Sequence, residues 1–279
     1  MRDMANWRTT TARHFTGELL GTAILVFFGC GSVAVSVLFD AFSGLWQIAM
    51  IWGGGVTLAI YATRHLSCAH LNPAVSLAMA VSGRMKAKLL PAYIAAQLLG
   101  AFLAAALLYL LFSDSIAHFE QLHGIVRGTP ASLQTAMMFG EFYPNPGVGN
   151  VPVVSTLTAF AAEALGTFIL VFMIFSLTEG CNPGRPDNAQ APLFIGATVA
   201  IIIAVLAPLT QAGLNPARDL SPRLFSMLAG WGQAALPDAS PGLLTVYVLG
   251  PVAGGLLAGL VFTRIVEPMM NGKPCENCE

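Results

Sequence analysis

Six stretches of the chain stay apolar for roughly the 20 residues that carry a helix across a bilayer. They are Phe15–Phe39, Trp46–Thr63, Leu89–Phe112, Val154–Thr178, Pro192–Thr210 and Leu243–Val266. Two more, Pro73–Ser82 and Pro216–Leu228, are apolar but too short to cross, and each opens at an Asn-Pro-Ala: Asn72-Pro73-Ala74 and Asn215-Pro216-Ala217. Asn is a favoured N-cap because its side-chain oxygen accepts from an orphan N–H of the first turn. Pro fits the first helical position, where its missing N–H costs nothing. In a soluble protein one such motif would mark only a helix start. Here two copies, each after a long apolar segment, predict an all-α membrane protein with six transmembrane helices plus two re-entrant half-helices.

Composition agrees. The 279 residues are 56% hydrophobic and 10% charged, with mean hydropathy +0.71, whereas a soluble domain carries about 25% charged residues. The chain cannot cover a globule with polar surface, so the lipid bilayer is its expected partner. A net charge of -1 with no basic run gives no argument for nucleic acid. The five cysteines lack the regular spacing of a disulfide framework. Phe28-Gly29-Cys30 faintly resembles a lipoprotein cleavage site, but its apolar run is too long for a signal, and no cleavage is expected.

With six spans, the inside segments hold ten of the 13 Lys and Arg, Arg2, Arg8 and Arg13 ahead of the first span among them. Only Arg127, Arg218 and Arg223 fall outside. The positive-inside rule therefore puts both termini in the cytoplasm, with the first Asn-Pro-Ala entering from inside and the second from outside.

An internal repeat organises the chain. Glu18-Leu19-Leu20-Gly21-Thr22 is echoed by Glu163-Ala164-Leu165-Gly166-Thr167, and the spacing nearly equals that from Asn72 to Asn215. An odd number of crossings per half makes the repeats inverted, and inverted repeats with broken helices hold their sites near the midplane. The expected division is a first repeat 15–112, an extracellular loop 113–153, a second repeat 154–266 and a cytoplasmic tail 267–279, within one channel domain. Met137–Phe142 is too apolar for a free linker, so the loop is expected to fold as an outer cover. Glycines such as Gly53–Gly55, Gly100 and Gly254 read as helix-packing sites.

The paired Asn-Pro-Ala motifs, the repeated Glu-x-x-Gly-Thr and the inverted halves resemble the major intrinsic proteins, the aquaporins and aquaglyceroporins. Asp219 after Arg218, Tyr143-Pro144-Asn145-Pro146 and the Gln47–Tyr61 span are similar to the glycerol-facilitator branch. The resemblance implies the aquaporin fold and a homotetramer with one pore per subunit and no cofactor. It also implies passage of small neutral solutes (glycerol and water) without protons or ions, in the bacterial inner membrane. It places Trp52, Ile203, Ala212 and Arg218 at the narrow constriction. Ala212 stands where bacterial glycerol facilitators usually carry an aromatic, and Ile203 where they carry glycine. The set is similar to that of nodulin-26-like intrinsic proteins, which opens urea, ammonia and neutral metalloid acids as alternatives. Cys68 stands where the family commonly has Gly.

Other residues have two readings. An intramembrane charge such as Arg218 usually faces a wet cavity, the alternative being a structural pair with Asp219. Trp52 reads as an apolar pore wall, while Trp7, Trp46 and Trp231 suit an interface belt. Glu18 and Glu163 would serve a proton relay in an energy-coupled secondary transporter. Their equivalent repeat positions favour a scaffold role instead, accepting from re-entrant N–H groups that lipid cannot satisfy. Backbone carbonyls of Cys68, Ala69 and His70 inside, and of Gln211, Ala212 and Gly213 outside, are expected to line the pore. Cys275 and Cys278 form a CxxC that cannot by itself complete a zinc site. No metal site or catalytic constellation is found, so no enzyme is expected.

Overall fold

The computed structural model describes residues 2–150, 152–237 and 242–270, with the side chains of 2–9 left aside. The tail cysteines Cys275 and Cys278, Lys273 and the Trp7 side chain lie outside the described residues. Among these residues the regular secondary structure is all helical, without strands. Six helices are long and apolar enough to cross a membrane. The spans are α1 (Arg2–Phe39), α2 (Leu45–Ser67), α4 (Leu90–Leu122), α6 (Thr156–Thr178), α7 (Ala191–Thr210) and a last span, Gly242–Met269. Between them lie the half-helices α3 (Pro73–Val81) and α8 (Pro216–Ser226), and a short α5 (Leu133–Ala136) in the long connection.

Contacts obey the repeat. α1 packs on α2 and α4, as α6 packs on α7 and the last span, and α2 meets α7 at the centre. Each half-helix crosses over: α3 packs against the last span and α8 against α4. Small residues permit these approaches. A Cβ on Gly53 would fall on the carbonyl oxygen of Gly196, and one on Gly196 on that of Gly53. In the same way Gly100 lies on the Leu19 carbonyl and Gly254 on its repeat mate, the Ala164 carbonyl. Leu103, Leu107, Leu110, Ile201, Val205 and Leu257 point outward and exposed, the surface expected of helices whose solvent is lipid.

Two expectations need correction. The segment 113–122, expected in the loop, is helical, because α4 runs on to Leu122. No Gly or Pro interrupts that segment before Gly124, and Ile116 and Glu120 bury inward. Trp231 is not an interface residue: it is fully buried. Its indole donates to Thr135 Oγ1 at 2.9 Å, and the Arg127 guanidinium lies 4.2 Å from its ring centre. Arg127 in turn pairs with Glu120 at 2.8 Å. This cluster pins the connection, and Met138, Phe139 and Phe142 then bury beneath it as a cover over one mouth.

Candidate functional site

Both re-entrant loops are built the same way. α2 ends in left-handed Cys68 and Ala69, with Leu71 left-handed as well; Gln211, Ala212 and Leu214 repeat those positions after α7. Side chains rarely adopt this conformation, and it persists where surroundings over-determine it. The surroundings here are two buried carboxylates. Glu18 Oε1 accepts from His70 N at 2.9 Å and Oε2 from Leu71 N at 2.7 Å. Glu163 does the same for Gly213 N at 2.9 Å and Leu214 N at 2.7 Å. Hydroxyls complete the shells, Ser67 on Glu18 at 2.7 Å and Thr210 on Glu163 at 2.6 Å. Gln97 adds a further donor to Glu18 at 2.7 Å.

The loops deliver Asn72 and Asn215 face to face. Asn72 Oδ1 accepts from Ala74 N at 2.8 Å and Asn215 Oδ1 from Ala217 N at 3.0 Å, capping α3 and α8. Each amide also donates across the pseudo-symmetry, Asn72 Nδ2 to Leu214 O and Asn215 Nδ2 to Leu71 O, both at 2.8 Å. One N–H of each amide is thus committed to protein, which leaves the second for a solute.

A cavity of about 550 Å³ runs from Arg64, Arg84 and Arg185, past Asn72 and Asn215, to Trp52 and Arg218. Cys68, Ala69, His70, Ala212 and Gly213 lie on its wall, as does Ile203. Gln211 does not. Its side chain turns into the connection between α4 and α6, accepting from Phe142 N at 2.8 Å and donating to Met137 O at 3.4 Å. Glu18 and Glu163 are fully buried behind the wall.

Arg218 is not paired with its neighbour. Asp219 binds Arg223 one turn on, at 2.6 Å, and accepts Glu141 N at 2.7 Å. Arg218 instead forms an ion pair with Glu141, donates through Nη1 to Phe139 O at 3.2 Å, and lies 4.4 Å from the Trp52 ring centre. Glu141 belongs to this site although no motif marks it. The available signal was a single carboxylate inside the apolar run Met137–Phe142, since a buried charge requires a partner.

Gly29 on α1 is a second residue without a motif. A Cβ there would overlap three atoms of the Trp52 benzo ring. The indole, which also lines the cavity, packs into the notch left by its hydrogen.

Comparison with known proteins agrees with this geometry. The family model "Major intrinsic protein" matches residues 5–262. The glycerol uptake facilitator protein of Haemophilus influenzae is 43% identical over 263 residues, covering 94% of this chain and 95% of that one. The Escherichia coli K12 protein of the same description is 41% identical over 264 residues, with 94% and 89% covered. The propanediol uptake facilitator of Salmonella typhimurium is 39% identical, with 94% and 96% covered. Among solved structures, the aquaglyceroporin from Plasmodium falciparum superposes with TM-score 0.80 at 26% identity, over 94% of this chain and 99% of that one. With its six spans, its two inward half-helices and a family match over nearly its whole length, the chain belongs to the major intrinsic protein family.

Proposed function

We propose that this chain is a passive channel for small uncharged polyols, glycerol foremost, with water as a second permeant and with protons and ions excluded. What carries the reading is the two-sided wall of the cavity. Trp52 and Ile203 present hydrocarbon, while Arg218 and the two asparagines present N–H donors. A polyol has the matching edges, C–H on one side and hydroxyls on the other. Cations face the converging N-terminal ends of α3 and α8, each carrying about half a positive charge.

The glycerol and propanediol uptake facilitators among its relatives support the same solute class. An energy-coupled mechanism is disfavoured because Glu18 and Glu163 spend their lone pairs on backbone N–H groups and stand off the solute path. We assign no enzymatic role. The assembly is a homotetramer in the bacterial inner membrane, with both termini cytoplasmic.

A second reading, a conduit for urea, ammonia or a neutral metalloid acid, draws on one observation. Ala212 leaves room on the wall where an aromatic side chain would stand, and Ile203 fills another side. Stopped-flow light scattering on proteoliposomes tests both readings with glycerol, water, urea and a neutral metalloid acid. Saturating glycerol flux is not required, but flux above empty vesicles is, and it must not respond to a proton or sodium gradient. Gradient-driven accumulation of glycerol would overturn the proposal.

A further inference from the structure

Three arginines, Arg64, Arg84 and Arg185, line the inner end of the cavity, and they are not alike. Arg84 is neutralised between Glu179 and Glu267, at 2.7 and 2.8 Å, and rests 4.7 Å from the centre of the Phe175 ring. Arg64 and Arg185 converge instead on a single residue. Arg64 Nη1 donates to the main-chain oxygen of Asn188, and Arg185 Nη1 donates to its side-chain oxygen at 2.6 Å. Among the described residues neither meets a carboxylate within ion-pair distance, and Asp187 engages neither. A guanidinium carries five N–H donors, so each of these keeps most of its own after serving Asn188.

α7 opens beside them. Ala191 and Pro192, its first two residues, are on the cavity wall, and its N-terminus has no side-chain cap. The positive end of its dipole therefore adds to the field of the two arginines. A neutral solute has no use for such a field. The orientation bias does not explain it either, since charges anywhere on this face would serve that purpose, as exposed Lys86, Lys88 and Arg264 do. Two uncompensated guanidiniums turned into the pore mouth make a forked donor set, the geometry that suits phosphate oxygens.

We propose that the inner vestibule binds a phosphate monoester, with the phosphate held by Arg64 and Arg185 and a short polyol portion directed up the cavity toward Asn72. The proposal rests on the polyol-channel reading for the identity of that portion. The arginines lie on the cavity wall and not on the lipid face, which favours a soluble ester over a lipid headgroup. A bound ester blocks the path from the inner face, so inhibition is one-sided.

The test uses the full-length protein, with glycerol 3-phosphate as probe. Isothermal titration of the detergent-solubilised protein reads binding without reference to flux. Arg64→Gln and Arg185→Gln should each weaken binding about tenfold or more, while Arg264→Gln on the same face should leave it unchanged. In vesicles of neutral lipid, the ester should slow glycerol flux only when it reaches the inner face. Inorganic phosphate tests for a site that needs no polyol portion, and vesicles doped with phosphatidic acid test the lipid source. Competition by phosphatidic acid at lower levels than the soluble ester would overturn the soluble assignment. Absence of binding, or equal weakening by Arg264→Gln, would overturn the site. Binding without basal glycerol flux would leave the site standing and remove the channel reading instead.

Discussion

Asn72 and Asn215 hold each other's loops: each donates its side-chain amide to the carbonyl of the residue just before the other, across 2.8 Å. The meeting point at the cavity centre is therefore a clasp as well as a donor pair. Replacing Asn215 with Asp removes the donor to Leu71 and sets an anion against that carbonyl oxygen. It also neutralises the positive ends of both half-helices. We expect a proton or sodium leak in Asn215→Asp proteoliposomes, read with an entrapped pH dye, together with reduced glycerol flux. A variant as cation-tight as the parent would show that the barrier lies elsewhere.

Gly29 sets the position of Trp52. A methyl group at residue 29 would overlap the indole and drive it toward Arg218 and the cavity. Gly29→Ala should lower glycerol flux several-fold and water flux less. Trp52→Phe, which removes the overlapping ring atoms, should restore glycerol flux in the double variant. If the double variant is no better than Gly29→Ala alone, the notch is a packing site and not a determinant of the pore.

Glu141 neutralises Arg218 where both are nearly inaccessible, at 2% and 3% exposure. Removing one member of a buried ion pair strands the other, at a cost of about 3–5 kcal/mol. Glu141→Ala should lower the thermal midpoint markedly and disturb the ratio of glycerol to water flux. Glu141→Gln, which retains an acceptor for the guanidinium, should be milder in both.

The carboxylates behind the loops are expected to be intolerant even of amide replacement. Gln matches Glu in size, yet Glu18 accepts four donors, two on each oxygen. Gln offers one oxygen and turns an NH₂ toward the remaining donors. Each donor left unmet costs about 1–3 kcal/mol. Glu18→Gln and Glu163→Gln should both reduce stability in thermal unfolding, while any flux that survives stays independent of pH gradient.

On the proposal that Ala212 and Ile203 stand at a constriction, Ala212→Phe should fill one side and cut glycerol flux more than water flux, because Ile203 still occupies the other wall. Ile203→Gly alone should admit longer polyols. An unchanged glycerol-to-water ratio in Ala212→Phe would mean that residue 212 does not face the narrowest point.

Much of this was legible because it is periodic or repeated. The spans follow from apolar runs, the half-helices from their caps, and the equivalent hydrogen bonds of Glu18 and Glu163 to the two loops from their matching positions. The carboxylates then met the backbone groups that the inverted repeat requires them to meet. What escaped was non-local and unrepeated. Glu141 has no counterpart in the first half, so symmetry could not point to it. Asp219 sits next to Arg218 in sequence but one helical step around the axis, which turns it toward Arg223. The extension of α4 past Phe112 was masked by polar Ser113-Asp114-Ser115, which ends the apolar run without ending the helix.

The crossing-over of the half-helices has a consequence for how the molecule is made. α3 leaves the ribosome early, yet the wall it leans on is the last span, synthesised at the very end. Until that wall arrives, α3 lacks the element it packs against most at membrane depth. The first half of the chain is thus not a smaller channel awaiting a duplicate. It is an unfinished one, and a nascent chain stopped before Gly242 should be handled as misfolded, however well its first five crossings have inserted.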